Sequence, residues 1–243
     1  MRGGRVFLSI LALVGILGLG PLSGESRAPV VVELFTSESC SSCPPADALL
    51  AKLNQTGDVL VLGEHVDYWN HLGWTDRFSS AILTERQNGY AKRFHLDSPY
   101  TPQMVIDGRF ETVGSDVLSV QREINLAGRN AKPASVKLSW TAANALHVAV
   151  EGAGGEPCVV LLAVTEDRLK TSVGGGENGG RVLSHTGVVR ELQQLGSTSN
   201  GTFAGTASVF AAATWKPRDL RIIVFVQRPG NGDIVGATAV DFP

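Results

Sequence analysis

Two cysteines separated by two serines, Cys40-Ser41-Ser42-Cys43, stand between an apolar run, Val30-Val31-Val32-Glu33-Leu34-Phe35, and an amphipathic stretch from Ala46 to Asn54. Pro44-Pro45 follows the second cysteine directly. The apolar run predicts a strand. The stretch after it predicts a helix, because proline's fixed φ suits a first helical position and Ala46, Leu49, Leu50 and Leu53 share one face. Gly57 supplies a stop. A strand that hands two thiols to the first turn of a helix limits the local fold to a βα unit and points to thiol–disulfide chemistry. The C-x-x-C spacing lets the sulfurs reach each other across about one helical turn, and the positive helix end favours a thiolate at the first of them.

Strands and helices continue to alternate downstream. Asp58 to Val66 predicts a buried strand, Val59-Leu60-Val61-Leu62 being apolar on both faces. Asp76 or Ser79 caps a helix running towards Phe94, and Ser115 one through Val117, Leu118, Gln121 and Ile124. Between these, Gln103 to Val113 predicts a hairpin turning at Asp107-Gly108. The order is β-α-β-α-β-β-α. From about Pro133 the helical period disappears. Val136, Leu138 and Trp140 alternate with polar residues, as do Leu146, Val148 and Val150. Further strands are expected near Cys158–Val164, Thr186–Leu192, Phe203–Phe210, Arg221–Gln227 and Ile234–Val240, separated by Gly/Asn/Pro clusters. The expectation is an α/β domain over 29–130 followed by an antiparallel β-sandwich over 133–243.

Residues 1–28 read as a signal peptide or N-terminal anchor: Arg2 and Arg5 precede the apolar stretch Val6 to Leu19, and Gly20-Pro21 breaks it. That stretch falls short of the roughly 20 residues that span a bilayer. The expected location is secreted or periplasmic, where an oxidising environment permits a stored disulfide. The third cysteine, Cys158, opens the run Cys158-Val159-Val160-Leu161-Leu162 and reads as a buried inert thiol. A net charge of -2 offers no basic excess to neutralise phosphates, so nucleic acid is not an expected partner.

On this element order the front half resembles a thioredoxin fold. The resemblance implies that Pro102, in Tyr100-Thr101-Pro102-Gln103, is a cis proline facing the cysteine pair, with Thr101 and Pro102 binding the substrate peptide. Two positions depart from the usual pattern. Ser39 replaces the tryptophan before the first cysteine, and Leu34 stands where a buried acid serves the second. Glu33, one residue away in a strand, points to the other face. The mature chain also resembles a narrower group of exported bacterial proteins catalogued as domain of unknown function 1223. The matching segments run from Glu33 to Asp47, His65 to Trp74, Tyr100 to Met104, and Gly176 through Arg190. That resemblance implies no particular activity.

The chemistry expected is dithiol–disulfide exchange, with Cys40 as attacking thiolate and Cys43 as resolving thiol. It requires the Cys40 sulfur to be reachable by solvent and to face the Thr101–Pro102 peptide. The partners are thiols or disulfides of exported proteins, no organic cofactor is needed, and membrane contact comes only through an uncleaved leader. A disulfide clipping so short a loop removes little unfolded-state entropy, which makes a purely structural pair a weak alternative. Copper held by the two thiolates and an imidazole of His65, His71 or His95 is a second reading, although their spacing matches no ligand pattern and no metal ligand is assigned. A third is a non-catalytic partner-binding protein using Tyr68, Trp69 and Trp74. Glu64 and Asp67 are candidate proton acceptors for the thiols. Gly174-Gly175-Gly176-Glu177-Asn178-Gly179 matches G-x-G-x-x-G but precedes no helix, so it reads as a loop in which Glu177 and Arg181 pair.

Overall fold

The apolar run at 30–36 becomes strand β1 (Val30–Thr36), buried along its whole length, and the prolines open helix α1 (Pro44–Leu53). The computed structural model describes residues 1, 3–4 and 28–243; the expected signal peptide or anchor lies outside the described residues. Among these, no helix is long and apolar enough to cross a membrane. Next come β2 (Val59–His65), α2 (Ala81–Arg93), the hairpin β3 (Gln103–Ile106) and β4 (Phe110–Val113), and α3 (Val117–Ala127). The caps fall one residue later than the sequence pattern suggests. The Ser80 hydroxyl accepts from the Ile82 N–H, and the Asp116 carboxylate from the Ser119 N–H.

Beyond α3 lie nine strands: β5 (Ser135–Ala142), β6 (Ala145–Glu151), β7 (Val159–Glu166), β8 (Leu169–Ser172), β9 (Val182–His185), β10 (Val188–Ser197), β11 (Phe203–Ser208), β12 (Leu220–Gln227) and β13 (Ile234–Asp241). They correct the expected fold class. The chain is not a thioredoxin-like α/β domain followed by a separate sandwich. Among the described residues it is predominantly β, with three α-helices on a single eight-stranded mixed sheet of order β13-β12-β7-β10-β2-β1-β3-β4. The junction is β10, which enters parallel to β2 at Val188↔Gly63. There the Gly63 N–H donates to the Gly187 carbonyl at 2.7 Å. A Cβ on Gly63 would stand 2.9 Å from the Thr186 carbonyl oxygen, so the strands meet this closely only because residue 63 has no side chain.

The packing follows from that continuity. Val31, Leu60 and Leu62 share one apolar cluster with Leu83 of α2 and with Ala163, Ile223, Phe225 and Ile234 from the rear half. On β1–β3, Val32, Leu34, Val61 and Met104 pack with Leu50 of α1 and Val120 and Ile124 of α3. The small sheet β11-β6-β5 buries Leu146, Val148 and Val150 against Val160, Leu162, Ile222 and Val224. Cys158 is fully buried and unpaired in this last cluster. The hairpin β8–β9 belongs to neither sheet and packs beside α1.

Beneath α2 lies a buried ionic knot. Arg86 Nε meets Glu33 Oε2 at 2.5 Å and Glu64 Oε1 at 3.4 Å, and the Tyr90 hydroxyl donates to Glu33 Oε1. Burial, and then the neighbouring Glu33 carboxylate, push the Glu64 carboxyl well above the ordinary range.

Candidate functional site

Cys40 and Cys43 form a disulfide at the entrance of α1, with Cα atoms 5.5 Å apart. Cys43 is the residue that starts the helix: its backbone is already helical, and its carbonyl accepts from the Ala46 and Asp47 N–H groups. Ser41 and Ser42 are exposed, but the cysteines are not: Cys40 is 1% exposed and Cys43 0%. The expected solvent-reachable sulfur is therefore corrected. In this conformation the pair is covered.

The cover is the loop 173–181 between β8 and β9. The Asn178 amide donates to the carbonyls of Glu38 (3.0 Å) and Cys40 (2.9 Å), and the Ser41 N–H donates to Glu177 Oε2 (3.0 Å). Arg181 does not pair with Glu177; it holds Asn178 in place, donating to its Oδ1 at 2.6 Å. The glycines let this loop lie flat on Gly73-Trp74. A Cβ on Gly175 would stand 2.5 Å from the Gly73 carbonyl oxygen, and one on Gly174 would meet the Trp74 ring at 3.0 Å. The G-x-G-x-x-G match thus reflects close packing of a cover, with no helix and no phosphate cradle behind it.

Behind the pair is a buried polar cluster. The Asp76 carboxylate takes His65 Nδ1 at 2.6 Å and the Glu38 N–H at 2.8 Å. Glu38 Oε2 accepts from the Trp74 indole at 2.7 Å. His185 Nε2 lies 3.3 Å from Glu38 Oε1, in ion-pair range but without the alignment of a hydrogen bond. His185 Nδ1 is 4.0 Å from Asp47 Oδ1, and the Thr36 hydroxyl donates to Asp47 Oδ2 at 3.3 Å. The His65 and His185 rings meet edge to face, 4.9 Å apart.

These carboxyls differ in charge state by environment. Burial works against the charged forms of Glu38 and Asp76. For Glu38 it is outweighed by His185 and by donors including the Trp74 indole, and for Asp76 by His65 and the N–H groups of Glu38 and Phe78; both are held below the ordinary range. Asp47 is pushed up to about 7 by burial, only partly opposed by His185 and Thr36, with the Asp76 and Glu38 charges adding to the rise. Asp47 lies four residues after Cys43, one helical turn further along α1, with its carboxyl held between the Thr36 hydroxyl and the His185 ring.

The sequence of residues 31–227 matches the family model described as protein of unknown function, DUF1223. The chain belongs to this family. A crystal structure of the Agrobacterium tumefaciens protein AGR_C_4864 is similar to the DUF1223 chain at 30% identity with a TM-score of 0.76, covering 90% of this chain and 96% of that one. A domain of the outer membrane lipoprotein Omp28 from Porphyromonas gingivalis aligns at 15% identity and a TM-score of 0.27, over 46% of this chain and 88% of that one, too slight a likeness to carry an argument. No curated protein matches the DUF1223 chain.

Three of the four DUF1223 segments meet around the disulfide: Glu38 and Asp47 come from the first, His65 and Trp74 from the second, and Asn178 and His185 from the last. The fourth, with Thr101 and Pro102, lies at the same end of the sheet, because Gln103 of β3 pairs with Phe35 near the end of β1. The Thr101–Pro102 bond is cis, and Pro102 and Ala46 of α1 both border Gly114. Other residues of interest go elsewhere. Glu64 is taken by Arg86, and Asp67 accepts from the Thr84 hydroxyl. His65 is paired with Asp76, and His71 Nδ1 contacts the Tyr68 carbonyl. Among the described residues, no three His, Cys, Asp or Glu side chains are grouped to hold a metal ion. Sequence reasoning passed over Asp47, Glu38, His185 and Asn178. Only Asp47 carried a local signal, its i+4 spacing from Cys43.

Proposed function

We propose that the DUF1223 chain is a thiol–disulfide exchange protein of the periplasm or cell exterior, acting on thiols or disulfides of exported proteins. The observation that carries this reading is the buried Asp47 carboxyl, one helical turn behind a disulfide at a helix entrance. Exchange needs a group that gives a proton to the leaving sulfur and takes it back. Once the 173–181 loop has lifted from the pair, a thiolate of the partner attacks the Cys40 sulfur, forming a mixed disulfide and releasing Cys43 as a thiolate, which Asp47 protonates. A second partner thiol, losing its proton to solvent, then attacks the mixed disulfide. The partner leaves oxidised, and Cys40 leaves as a thiolate at the positive end of α1. In the opposite direction Asp47 accepts the Cys43 proton. The leader-like residues 1–28 support an oxidising location in which the pair is stored as a disulfide.

Burial of Cys40 favours one competing reading, a closed structural clip on a non-catalytic binding protein. The two part at a trapping experiment. Cys43→Ser cannot resolve a mixed disulfide, so it is expected to retain exported proteins bound through Cys40. These adducts should run as reducible bands on non-reducing gels and be lacking in the Cys40→Ser, Cys43→Ser double variant. Equal recovery from both variants, or none from Cys43→Ser, would favour the clip.

A further inference from the structure

A second concave site lies away from the disulfide, and its charge is out of keeping with the whole chain. A cleft of about 550 Å³ is lined by five cationic side chains, Arg77, Arg168, Lys170, Arg190 and Lys216, and by a single carboxylate, Glu166. The chain itself carries a net charge of -2. Glu166 is already occupied: Oε2 is 3.5 Å from Arg190, and Oε1 accepts the Lys216 backbone N–H. Arg168 reaches Asp219, which also neighbours Arg218, so that contact leaves the local excess unchanged.

Two of these cations are held where they repel one another. The guanidiniums of Arg77 and Arg190 both lie over the Phe78 ring, 4.7 and 5.1 Å from its centroid. Arg77 is fixed there by donating to the Lys170 carbonyl at 2.9 Å. Arg190 also lies over Trp215, at 5.1 Å. Burial first, and then the Arg77 charge, lower the Arg190 pKa despite the Glu166 carboxylate. Preorganised like charges on a partly apolar wall form a site for a multivalent anion, which relieves the repulsion on arrival.

We propose that this cleft binds a soluble small molecule bearing two or more phosphate or sulfate groups. Planar guanidiniums at the wall match tetrahedral oxyanions, and Lys170 and Lys216 at the rim add point charges. Phe78 separates the cleft from the cysteine site, since its ring also packs edge to face against His65 and His185. The assignment therefore goes beyond the exchange reading and stands without it.

Calorimetric titration with inorganic pyrophosphate tests it, using the oxidised full chain at low ionic strength. Binding is expected in the wild type, with affinity falling at least about tenfold in the triple variant Arg77→Ser, Lys170→Ser, Lys216→Ser. A control that removes the same charge elsewhere, Arg122→Ser, Arg129→Ser, Lys137→Ser, should keep affinity within about twofold. Lys216→Ser alone, at an exposed side chain, should lose about threefold and covers the case in which the triple variant misfolds. Absence of pyrophosphate binding by the wild type, or equal losses in the triple variant and control, would overturn the proposal. So would binding confined to phosphatidylcholine vesicles containing phosphatidic acid, which would mark a lipid surface as the ligand.

Discussion

Asp47→Asn is expected to become progressively more stable than the wild type as pH rises from about 4 to about 7, and to hold that advantage above it. The sign follows from proton binding. The Asp47 carboxyl is raised from 3.8 to about 7 in the folded protein, so between those values the folded chain keeps a proton that the unfolded chain has released. Folding stability therefore falls with rising pH across that window and levels off beyond it. Asparagine carries no such linkage and can still accept the Thr36 hydroxyl. The full difference between the two ends of the window is on the order of 4 kcal/mol. Comparing the two proteins removes the opposite, acid-side contributions of Glu38 and Asp76. Urea unfolding of both oxidised proteins at pH 4, 6 and 8 checks it. A stability difference independent of pH would mean that the carboxyl is solvated and unsuited to serve Cys43.

Asn178→Ala should open the site. Its amide satisfies two carbonyls, Glu38 and Cys40, that are buried while the loop is down. Removing the donor leaves the Glu38 carbonyl unpaired in the covered state, while the Cys40 carbonyl keeps the Cys43 N–H; in the open state water satisfies Glu38. An unsatisfied buried acceptor costs about 1–3 kcal/mol, so the open population rises roughly 5- to 150-fold. The rate of Cys40–Cys43 reduction by dithiothreitol in native buffer should rise by that factor, and global stability should fall by the same amount, because the covered state is the folded ground state. An unchanged reduction rate would show that the loop does not limit access.

The parts of this structure legible in the sequence were those governed by local chemistry. Pro44 opened α1, Asp107-Gly108 turned the β3–β4 hairpin, and Cys158 lay where its apolar run implied. The overall architecture was misread because register between distant strands leaves no local trace. Nothing near Val188 announces that it pairs with Gly63. One hint existed: Val159–Val164 and Ile222–Val226 are nearly unbroken apolar runs, a pattern suited to central strands covered on both faces rather than to a sandwich wetted on one. The short strands β8 and β9 were missed because their burial alternates over only four residues each. The site suffered in the same way. Asp47 was within reach of a spacing argument, but Asn178 and His185 join the cysteines only through the β8–β9 hairpin.

Cys158 provides an internal clock for the most direct test. It is buried in the apolar cluster beneath the small sheet and can be labelled only when that core opens. Oxidised protein can be incubated with dithiothreitol and iodoacetamide across a series of low urea concentrations, and labelling at each cysteine followed by mass spectrometry. Exchange through movement of the 173–181 loop requires Cys40 and Cys43 to be labelled much faster than Cys158, at a rate that low urea barely changes. If all three cysteines were labelled at one common, urea-dependent rate, the disulfide would open only with the whole fold, and a role in exchange would be ruled out.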